Sequence, residues 1–163
     1  MKLSFVIVTY NALPELELGL RSILRQRLPE GVEMEVIVSD DGSSDDTPAL
    51  MASLAEEYDN LHYLYRERDY NRSRTRNIGM AKAQGDVICL LDSGVIIPEN
   101  FAAHVVARMK DHPNRVLVHE TFGLNVDPQK EDVSVLDGFT LDRLDEYVAK
   151  IRHRDGWKDL RDK

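Results

Sequence analysis

Short apolar segments alternate along this chain with segments of helical periodicity, and this alternation restricts the fold more than any other feature. Four segments rich in aliphatic and aromatic residues have the length of strands: residues 4–9, 35–39, 62–65 and 87–91. Helical periodicity lies between them, for example in the apolar stripe of Leu16, Leu20, Ile23 and Leu24. Alternating strands and helices predict right-handed crossovers and a mostly parallel sheet, which is an α/β fold.

The predicted elements continue along the whole sequence. Helices are expected at four places before residue 112: from Pro14, from Thr47, over residues 73–84 and around Phe101. The apolar segment 87–91 is the strongest prediction of a buried strand. A further strand is expected at residues 116–119 and a further helix at 140–152, and the polar residues from 154 onward are expected to form a loose tail.

The composition is that of one ordinary globular domain, and it excludes several classes of protein. With 163 residues, 42% of them hydrophobic, the chain can bury a sizeable core. A net charge of −8 argues against sequence-independent binding of nucleic acid. The one cysteine, Cys89, excludes an internal disulfide and multi-cysteine zinc sites. No apolar segment approaches the ~20 residues that span a bilayer, and no export signal is visible, so we expect a cytoplasmic protein that does not span a membrane.

Unusual polar residues follow three of the predicted strands. They are Thr9-Tyr10-Asn11, Asp40-Asp41-Gly42-Ser43 and Asp92-Ser93-Gly94. In a parallel sheet these positions are the carboxyl ends of strands, where ligands bind near a topological switch point. We therefore expect the three segments to form one binding site.

The residue types in these segments suit a nucleotide, although each has a structural alternative. The ring of Tyr10 could stack on a base beside the Thr9 hydroxyl, or pack on its protein neighbours. Asp40 and Asp41 could accept a hydrogen bond from a pyrimidine ring N–H, or stabilise the turn and the helix that follows. Asp92 emerges directly from a buried strand, so it needs a cation, a ribose hydroxyl or backbone donors.

Five arginines between residues 66 and 76 form a positive cluster in this acidic chain. The guanidinium fork matches phosphate oxygens, but Arg72, Arg74 and Arg76 cannot all point the same way on a helix, so at most two of them are expected to reach a ligand. The histidines have no metal-ligand spacing, and the sequence lacks a nucleophile elbow, a Walker motif and Gly-x-Gly-x-x-Gly. These absences exclude P-loop nucleotidases and the common NAD(P) enzymes.

Four linked motifs, in this order, resemble family 2 glycosyltransferases of the GT-A fold. They lie in residues 4–11, 38–45, 75–86 and 91–98, and the resemblance covers about residues 3–120. It implies a Rossmann-like three-layer α/β/α sandwich with a mostly parallel central sheet. It also implies an inverting transferase that moves a sugar from a nucleotide diphosphate donor, UDP- or dTDP-linked, with Mg²⁺ or Mn²⁺. The acceptor, whether a saccharide, a lipid or a protein, does not follow from it.

The resemblance also assigns roles to the matching residues. Thr9, Tyr10 and Asn11 would contact the nucleotide, with Thr9 and Tyr10 as the base platform, and Asp41 with Asp40 would bind the base. The segment from Asn71 to Arg76, in which Arg72 and Arg76 are the candidate ligands, would lie over the base and the diphosphate. Asp92 would be the first member of the Asp-x-Asp element and would bind nucleotide and metal. Glu120 is the nearest candidate for the general base, with Asp137 and Asp142 as further ones.

Two departures from the family pattern leave alternatives open. Gly94 stands where the second aspartate is expected, so a metal would depend on Asp92 and phosphate oxygens, or arginines would replace it. Fewer residues follow Asp92 than an acceptor-binding half usually needs. We expect residues 1–120 to form the nucleotide-sugar-binding core and 121–163 a short extension of the same domain. A donor-binding module without turnover is the alternative function, and a flavodoxin-like regulatory domain is a third.

Overall fold

The computed structural model describes residues 1–111 and 116–119, in which four strands alternate with four helices. The strands are β1 (Lys2–Thr9), β2 (Glu33–Asp40), β3 (Leu61–Tyr65) and β4 (Val87–Asp92). The helices are α1 (Leu13–Leu24), α2 (Thr47–Glu57), α3 (Arg72–Lys82) and α4 (Phe101–Asp111). The predicted alternation is therefore confirmed over this range. None of the described helices is long and apolar enough to cross a bilayer.

All four strands are parallel and lie in the order β3-β2-β1-β4. The chain builds outward from β1 to β3 and then returns to the other side of β1 for β4, so the strand order reverses between β1 and β4. The register pairs Thr9 with Asp40 and Val8 with Asp92, which aligns the carboxyl ends of the strands. A crevice at such a reversal is where open α/β sheets bind their ligands.

The main hydrophobic core lies on one face of the sheet, under α1, α2 and α4. Its fully buried members include Leu3, Phe5, Ile7, Leu20, Val36, Val38, Met51 and Ala102. The rings of Phe5 and Phe101 meet at a centroid distance of 6.5 Å, which fixes α4 against β1. Helix α3 packs on the opposite face against β1 and β2, and this confirms the three-layer α/β/α sandwich.

A glycine allows α3 to approach the sheet closely. At Gly79 a Cβ atom would lie 2.6 Å from Cγ1 of Val6 and 3.4 Å from Cβ of Ser39. The hydroxyl of Ser39 also donates a hydrogen bond of 2.8 Å to the backbone carbonyl of Thr75. Because a crossover helix runs back from the carboxyl end of the preceding strand, the first turn of α3 lies at the ligand-binding edge of the sheet.

The prediction of a strand at residues 87–91 is confirmed by β4, but the prediction that this strand is buried is wrong for one of its faces. Val87, Cys89 and Leu91 pack against the main core, but Ile88 and Leu90 are 42% and 46% exposed. The reason is that α3 lies over β1 and β2, and no other described element covers this face of β4. The thiol of Cys89 is partly buried, and this burial raises its pKa to about 11, so the thiol is protonated at neutral pH.

Residues 116–119 form no strand, contrary to the prediction from their alternating valines. Val116 and Val118 are 89% and 90% exposed, and the four-stranded sheet of the described residues does not include them. An alternating pattern becomes a strand only where a neighbouring backbone edge pairs with it. The predicted helix at 140–152, the extension 121–163 and the candidate bases Glu120, Asp137 and Asp142 lie outside the described residues.

A buried carboxylate connects β1, β2 and the α3–β4 loop at the amino-terminal edge of the sheet. Glu35 accepts hydrogen bonds from the hydroxyl of Ser4 at 2.5 Å and the backbone N–H of Gln84 at 2.6 Å. The ammonium of Lys2 lies 2.8 Å from its other oxygen. Burial alone raises the pKa of Glu35, but these partners outweigh it and lower the pKa to about 2.

Candidate functional site

A pocket of about 400 Å³ opens at the carboxyl ends of β1, β2 and β4. It is lined by Val8, Thr9, Tyr10, Ala12, Asp41, Arg68, Tyr70, Arg72 and Ser93. All three polar segments that the sequence places at strand ends thus contribute at least one residue to the pocket, although Asn11, Asp40 and Asp92 do not line it. The β4 segment reaches it through Ser93, whose backbone packs on α1 at Gly19, where a Cβ atom would lie 2.6 Å from the Ser93 carbonyl oxygen.

Asp41 is a buried carboxylate in the pocket wall, and all its described hydrogen bonds use one oxygen. Its Oδ1 accepts from Nη2 of Arg66 and from the hydroxyl of Thr75 at 3.3 Å, and the backbone N–H of Asp69 lies at 3.5 Å. Its Oδ2 has no hydrogen-bond partner among the residues that the structure describes. A carboxylate oxygen in a pocket wall with no protein donor is suited to accept a hydrogen bond from a ligand.

Arg66, which follows β3 directly, is held in place by Asp69. Its Nη1 donates to Oδ2 of Asp69 at 2.6 Å, and its Nη2 donates to Oδ1 of the same carboxylate, which makes a bidentate pair. Nη2 also donates to the Thr75 hydroxyl at 2.9 Å. The hydrogen bond from Arg66 lowers the pKa of Asp69 to about 2, and the same bond raises the pKa of Arg66, so both stay charged at working pH.

Asp40 faces away from this arrangement and stabilises the β2 turn. Its Oδ1 accepts from the backbone N–H of Ser43 at 2.9 Å and from the Ser43 hydroxyl at 2.7 Å. Its Oδ2 accepts from the Tyr63 hydroxyl at 2.5 Å. Burial and this carboxylate raise the pKa of the Tyr63 phenol. Both Asp40 oxygens are therefore occupied by protein donors.

The β1 loop is joined to the β2 loop by Asn11, which has a φ of 44°. Its side-chain oxygen accepts from the backbone N–H of Ser44 at 2.7 Å, and its own N–H donates to the Ser43 hydroxyl at 2.9 Å. Next to it, the Thr9 hydroxyl is buried in the pocket wall without a hydrogen-bond partner in the described residues. A buried unpaired hydroxyl is uncommon in proteins, which makes Thr9 a candidate for contact with a ligand.

Arg68 lies between two tyrosine rings at the mouth of the pocket. Its guanidinium carbon is 3.4 Å from the centre of the Tyr10 ring and 4.1 Å from the centre of the Tyr70 ring. Gly42 lets this segment cross the β2 loop: it has a φ of 83°, and a Cβ atom there would lie 2.6 Å from the Arg68 backbone nitrogen. The cation thus occupies a face of the ring that was predicted to stack on a base.

Two arginines of α3 converge on Asp92. Nη2 of Arg76 lies 3.0 Å from Oδ1 of Asp92, and Nη2 of Arg72 lies 3.6 Å from the same oxygen. Arg74 points elsewhere and donates to Asp69 at 3.1 Å. Arg72 and Arg76 share a helix face because they are four residues apart. That at most two of the three arginines reach a ligand stays a prediction.

The amino terminus of α3 adds a favourable electrostatic field to this side of the pocket. Asn71 caps the helix, because its side-chain oxygen accepts from the backbone N–H of Arg74 at 2.9 Å. The positive end of the helix dipole and the guanidinium groups of Arg72 and Arg76 together form a surface suited to an anion such as a diphosphate.

The described residues do not make a cation site by themselves. They contain no group of three histidine, cysteine, aspartate or glutamate side chains placed to hold a metal ion. Asp92 is the one carboxylate of the predicted Asp-x-Asp element, and its oxygen is paired with two arginines. A divalent cation here would need donors from a bound ligand or from residues outside the described part.

The structure also shows residues that the sequence analysis did not assign to the site. Arg66 and Asp69 hold Asp41 together with Thr75, which lies in the segment 71–76 that was predicted to cover the base, and Tyr70 completes the pocket rim. Arg66 could have been found by the rule that selected the other segments, since it follows the carboxyl end of a strand. Asp69 carries no such signal, and no role was predicted for Thr75 itself, because their contacts depend on how α3 packs.

Comparison with known proteins gives a consistent family and fold. The sequence model of the family described as Glycosyl transferase family 2 matches residues 4–156. Over 138 residues the chain is 31% identical to the succinoglycan biosynthesis protein ExoO of Rhizobium meliloti (strain 1021), a match that covers 85% of this chain and 35% of that protein. The chain spans about a third of the length of the curated relatives that it matches over most of its residues.

Two solved structures share this fold and were determined with nucleotide sugars. S. aureus TarS 1-349 in complex with UDP-GlcNAc aligns with a TM-score of 0.62 at 23% identity, over 73% of this chain and 37% of that one. The mannosyltransferase PcManGT from Pyrobaculum calidifontis, in complex with GDP-Man and Mn²⁺, aligns with a TM-score of 0.60 at 26% identity, over 68% of this chain and 32% of that one. The same fold therefore accommodates both a uridine and a guanosine donor.

Proposed function

We infer that the chain, which belongs to glycosyl transferase family 2, binds a nucleotide-sugar donor and supplies the donor half of an inverting sugar transfer. The observation that carries this proposal is the meeting of Tyr10, Asp41, Arg72 and Ser93 in one pocket at the strand-order reversal. A pocket with an aromatic ring, a free carboxylate oxygen and arginines has one group for each part of a nucleoside diphosphate.

Each part of the donor has a matching partner. Asp41 accepts a hydrogen bond from the base through its unpaired oxygen, and Tyr10 with Thr9 forms the wall against which the base lies. Arg72 and Arg76, with the first turn of α3, bind the diphosphate. Asp40 and Asn11, predicted as nucleotide ligands, act here by holding the β1 and β2 loops together through Ser43 and Ser44.

The arginines also have a chemical role. Breaking the glycosidic bond leaves the bonding electron pair on an oxygen of the terminal phosphate, which adds a negative charge to the two that the donor already carries, so charge at the leaving group increases towards the transition state. Cations that are already in place therefore stabilise the transition state, with its larger negative charge, more than they stabilise the bound donor. Arg76 does not line the pocket, but its contact with Asp92 holds its guanidinium close to that of Arg72, which does.

A metal ion at Asp92 remains a prediction, supported by the Mn²⁺ bound to the Pyrobaculum relative. A divalent cation in that position would supply further positive charge at the diphosphate. Because Asp92 is paired with arginines and Gly94 offers no carboxylate, the described residues fit such an ion poorly, and we assign the leaving-group charge to Arg72 and Arg76.

The acceptor half is predicted from the sequence alone. Glu120 as general base, a core of residues 1–120 with an extension over 121–163, and a cytoplasmic location all stay predictions. A second function, donor binding without turnover, is favoured by one observation: Asp92 is the single carboxylate where the family pattern has two.

Titration calorimetry with UDP tests the proposal directly. Asp41→Ala should weaken UDP binding by about tenfold or more, because the base then loses a hydrogen bond to a charged group. Asp59→Ala, which changes an exposed carboxylate away from the pocket, is the matched control. Equal UDP affinity in the parent and Asp41→Ala would refute the site. Binding without release of sugar from UDP-glucose or another UDP-sugar, with or without acceptor saccharides, would favour the second function.

A further inference from the structure

We propose that Arg66, anchored by Asp69, leaves Asp41 with a single acceptor oxygen and so makes the site select uracil or thymine over guanine. The proposal rests on the function proposed above and concerns which base the same pocket takes. It is needed because related structures of this fold hold a uridine donor in one case and a guanosine donor in the other.

The geometry of Asp41 is the first step. Every described hydrogen bond to its carboxylate goes to Oδ1, from Arg66, Thr75 and the backbone of Asp69. Thr75 is fully buried and Asp41 is 7% exposed, so the side chain has little freedom to turn. A ligand in the pocket therefore meets one available carboxylate oxygen, Oδ2.

The chemistry of the bases is the second step. Uracil and thymine carry one ring N–H between two carbonyl groups, which needs one acceptor opposite it. Guanine carries a ring N–H beside an amino group, and these two donors match both oxygens of an unobstructed carboxylate. With Oδ1 taken by Arg66, the second guanine donor is left unpaired in the pocket, and an unpaired buried donor weakens binding.

The other bases are disfavoured for a different reason. Cytosine and adenine present a ring nitrogen with a lone pair in the place where uracil has its N–H. A carboxylate oxygen facing that lone pair is repelled, although the exocyclic amino group can still donate to it. The expected order of affinity is therefore UDP and dTDP first, with GDP and CDP weaker.

Arg66 acts as a positioning residue, and its own position depends on Asp69. The bidentate pair between them fixes the plane of the guanidinium, and Nη2 is shared among Asp69, Asp41 and Thr75. Arg74 also contacts Asp69, but makes no described contact with Asp41. This difference supplies a matched control on the same carboxylate.

The test is calorimetric titration of the full chain with UDP, dTDP, GDP and CDP, which share the diphosphate and differ mainly in the base. The parent should bind UDP about tenfold or more tightly than GDP, and N3-methyl-UDP should bind as weakly as GDP. Arg66→Met should reduce the ratio of UDP to GDP affinity to about threefold or less, since Oδ1 of Asp41 then loses its charged donor and keeps only the longer contacts from Thr75 at 3.3 Å and the Asp69 backbone at 3.5 Å, which guanine can displace. Arg74→Met should leave the ratio unchanged.

If Arg66→Met does not fold, Asp69→Asn takes its place, because it loosens the anchor and should also lower the ratio. Equal affinity of the parent for UDP and GDP would overturn the proposal and leave the proposed function standing. A ratio of UDP to GDP affinity that stays at the parent's value in folded Arg66→Met or Asp69→Asn would also overturn the proposal and leave the proposed function standing. If the parent binds none of the four diphosphates, the proposed function itself fails and this proposal fails with it.

Discussion

The guanidinium carbon of Arg68 lies 3.4 Å from the centre of the Tyr10 ring, so a cation covers aromatic surface that the sequence assigned to a base. The ring of Tyr70 lies 4.1 Å from the same carbon on the rim of the pocket. A base stacked on that face of Tyr10 has to displace Arg68, and the cation–π contact, on the order of 1 kcal/mol, opposes binding by that amount.

Arg68→Ala should therefore strengthen the binding of uridine by about two- to fivefold, because the ring face is then open. Uridine is the informative ligand, since it lacks the phosphates that a lost positive charge would also affect. The measurement is calorimetry or quenching of tyrosine fluorescence, with Arg108→Ala on α4 as the control for charge alone. Weaker uridine binding in Arg68→Ala would mean that the guanidinium itself is part of the base platform.

Gly42→Ala should disturb both stability and nucleotide binding. Its φ of 83° is strained for alanine, and the new Cβ would lie 2.6 Å from the Arg68 nitrogen and 3.1 Å from the Arg66 carbonyl oxygen. The segment that carries both arginines then has to shift away from the pocket. We expect a loss of about 2 kcal/mol or more in the free energy of unfolding, and weaker UDP binding.

Gly31→Ala is the control that separates the backbone strain of a positive φ from the displacement of a neighbouring segment. Gly31 has a φ of 72°, but a Cβ atom there meets nothing within 4 Å. The Gly31→Ala variant should lose about 1 kcal/mol in the free energy of unfolding, measured with urea, and keep the UDP affinity of the parent. If both variants kept the parent's affinity for UDP, the close packing of the Arg66–Arg68 segment on Gly42 would have no part in binding.

The sequence predicted the scaffold and the location of the site well, because both depend on local patterns. Buried strands and amphipathic helices are visible in the spacing of apolar residues, and the carboxyl ends of parallel strands necessarily meet at one edge. The two predictions that failed within the described residues, full burial of β4 and a strand at 116–119, depended on neighbours that local patterns do not specify.

The different roles of the adjacent residues Asp40 and Asp41 could not be predicted from the sequence either. Asp40 and Asp41 are chemically identical, but successive residues at a strand end point to opposite sides of the sheet. Asp40 meets Tyr63 and Ser43, whereas Asp41 meets Arg66 and the pocket. Which of them is free to bind a ligand follows from packing between β3, α3 and the β2 loop.

Glu35 gives the fold a predictable response to acid. Its pKa is lowered from 4.5 to about 2 in the folded chain, so its contribution to stability is complete above about pH 4.5 and is lost as the pH falls towards 2. That contribution is on the order of 3 kcal/mol. Glu35→Gln should lower the free energy of unfolding at pH 7 by about this amount, and the difference from the parent should shrink at pH 3.

Urea unfolding at the two pH values measures this effect, and Glu17→Gln is the control. Glu17 forms a half-exposed pair with Arg21 on α1 at 2.9 Å, so its replacement should change stability by about 0.5 kcal/mol or less. A difference between parent and Glu35→Gln that grows on acidification would contradict the assignment, because the sign would then be that of a raised pKa.

Gly94→Asp should make nucleotide binding depend on a divalent cation. A Cβ atom at Gly94 would lie 3.6 Å from Cβ of Glu15, which is ordinary contact, so the backbone at this position accepts a side chain. Stability should change by no more than about 0.5 kcal/mol. The variant restores the second carboxylate of the Asp-x-Asp element, and two carboxylates with the donor's phosphate oxygens suit Mn²⁺ far better than one.

The measurement is UDP affinity with Mn²⁺ and with EDTA in the parent, in Gly94→Asp and in Gly94→Asn. Because Arg72 and Arg76 already neutralise Asp92 in the parent, Mn²⁺ should change its UDP affinity by less than about threefold. Gly94→Asp should gain about tenfold from Mn²⁺, and the isosteric Gly94→Asn should gain much less, since an amide is a weaker ligand. A parent whose UDP binding disappears in EDTA would show that a metal, and not the two arginines, carries the charge of the diphosphate.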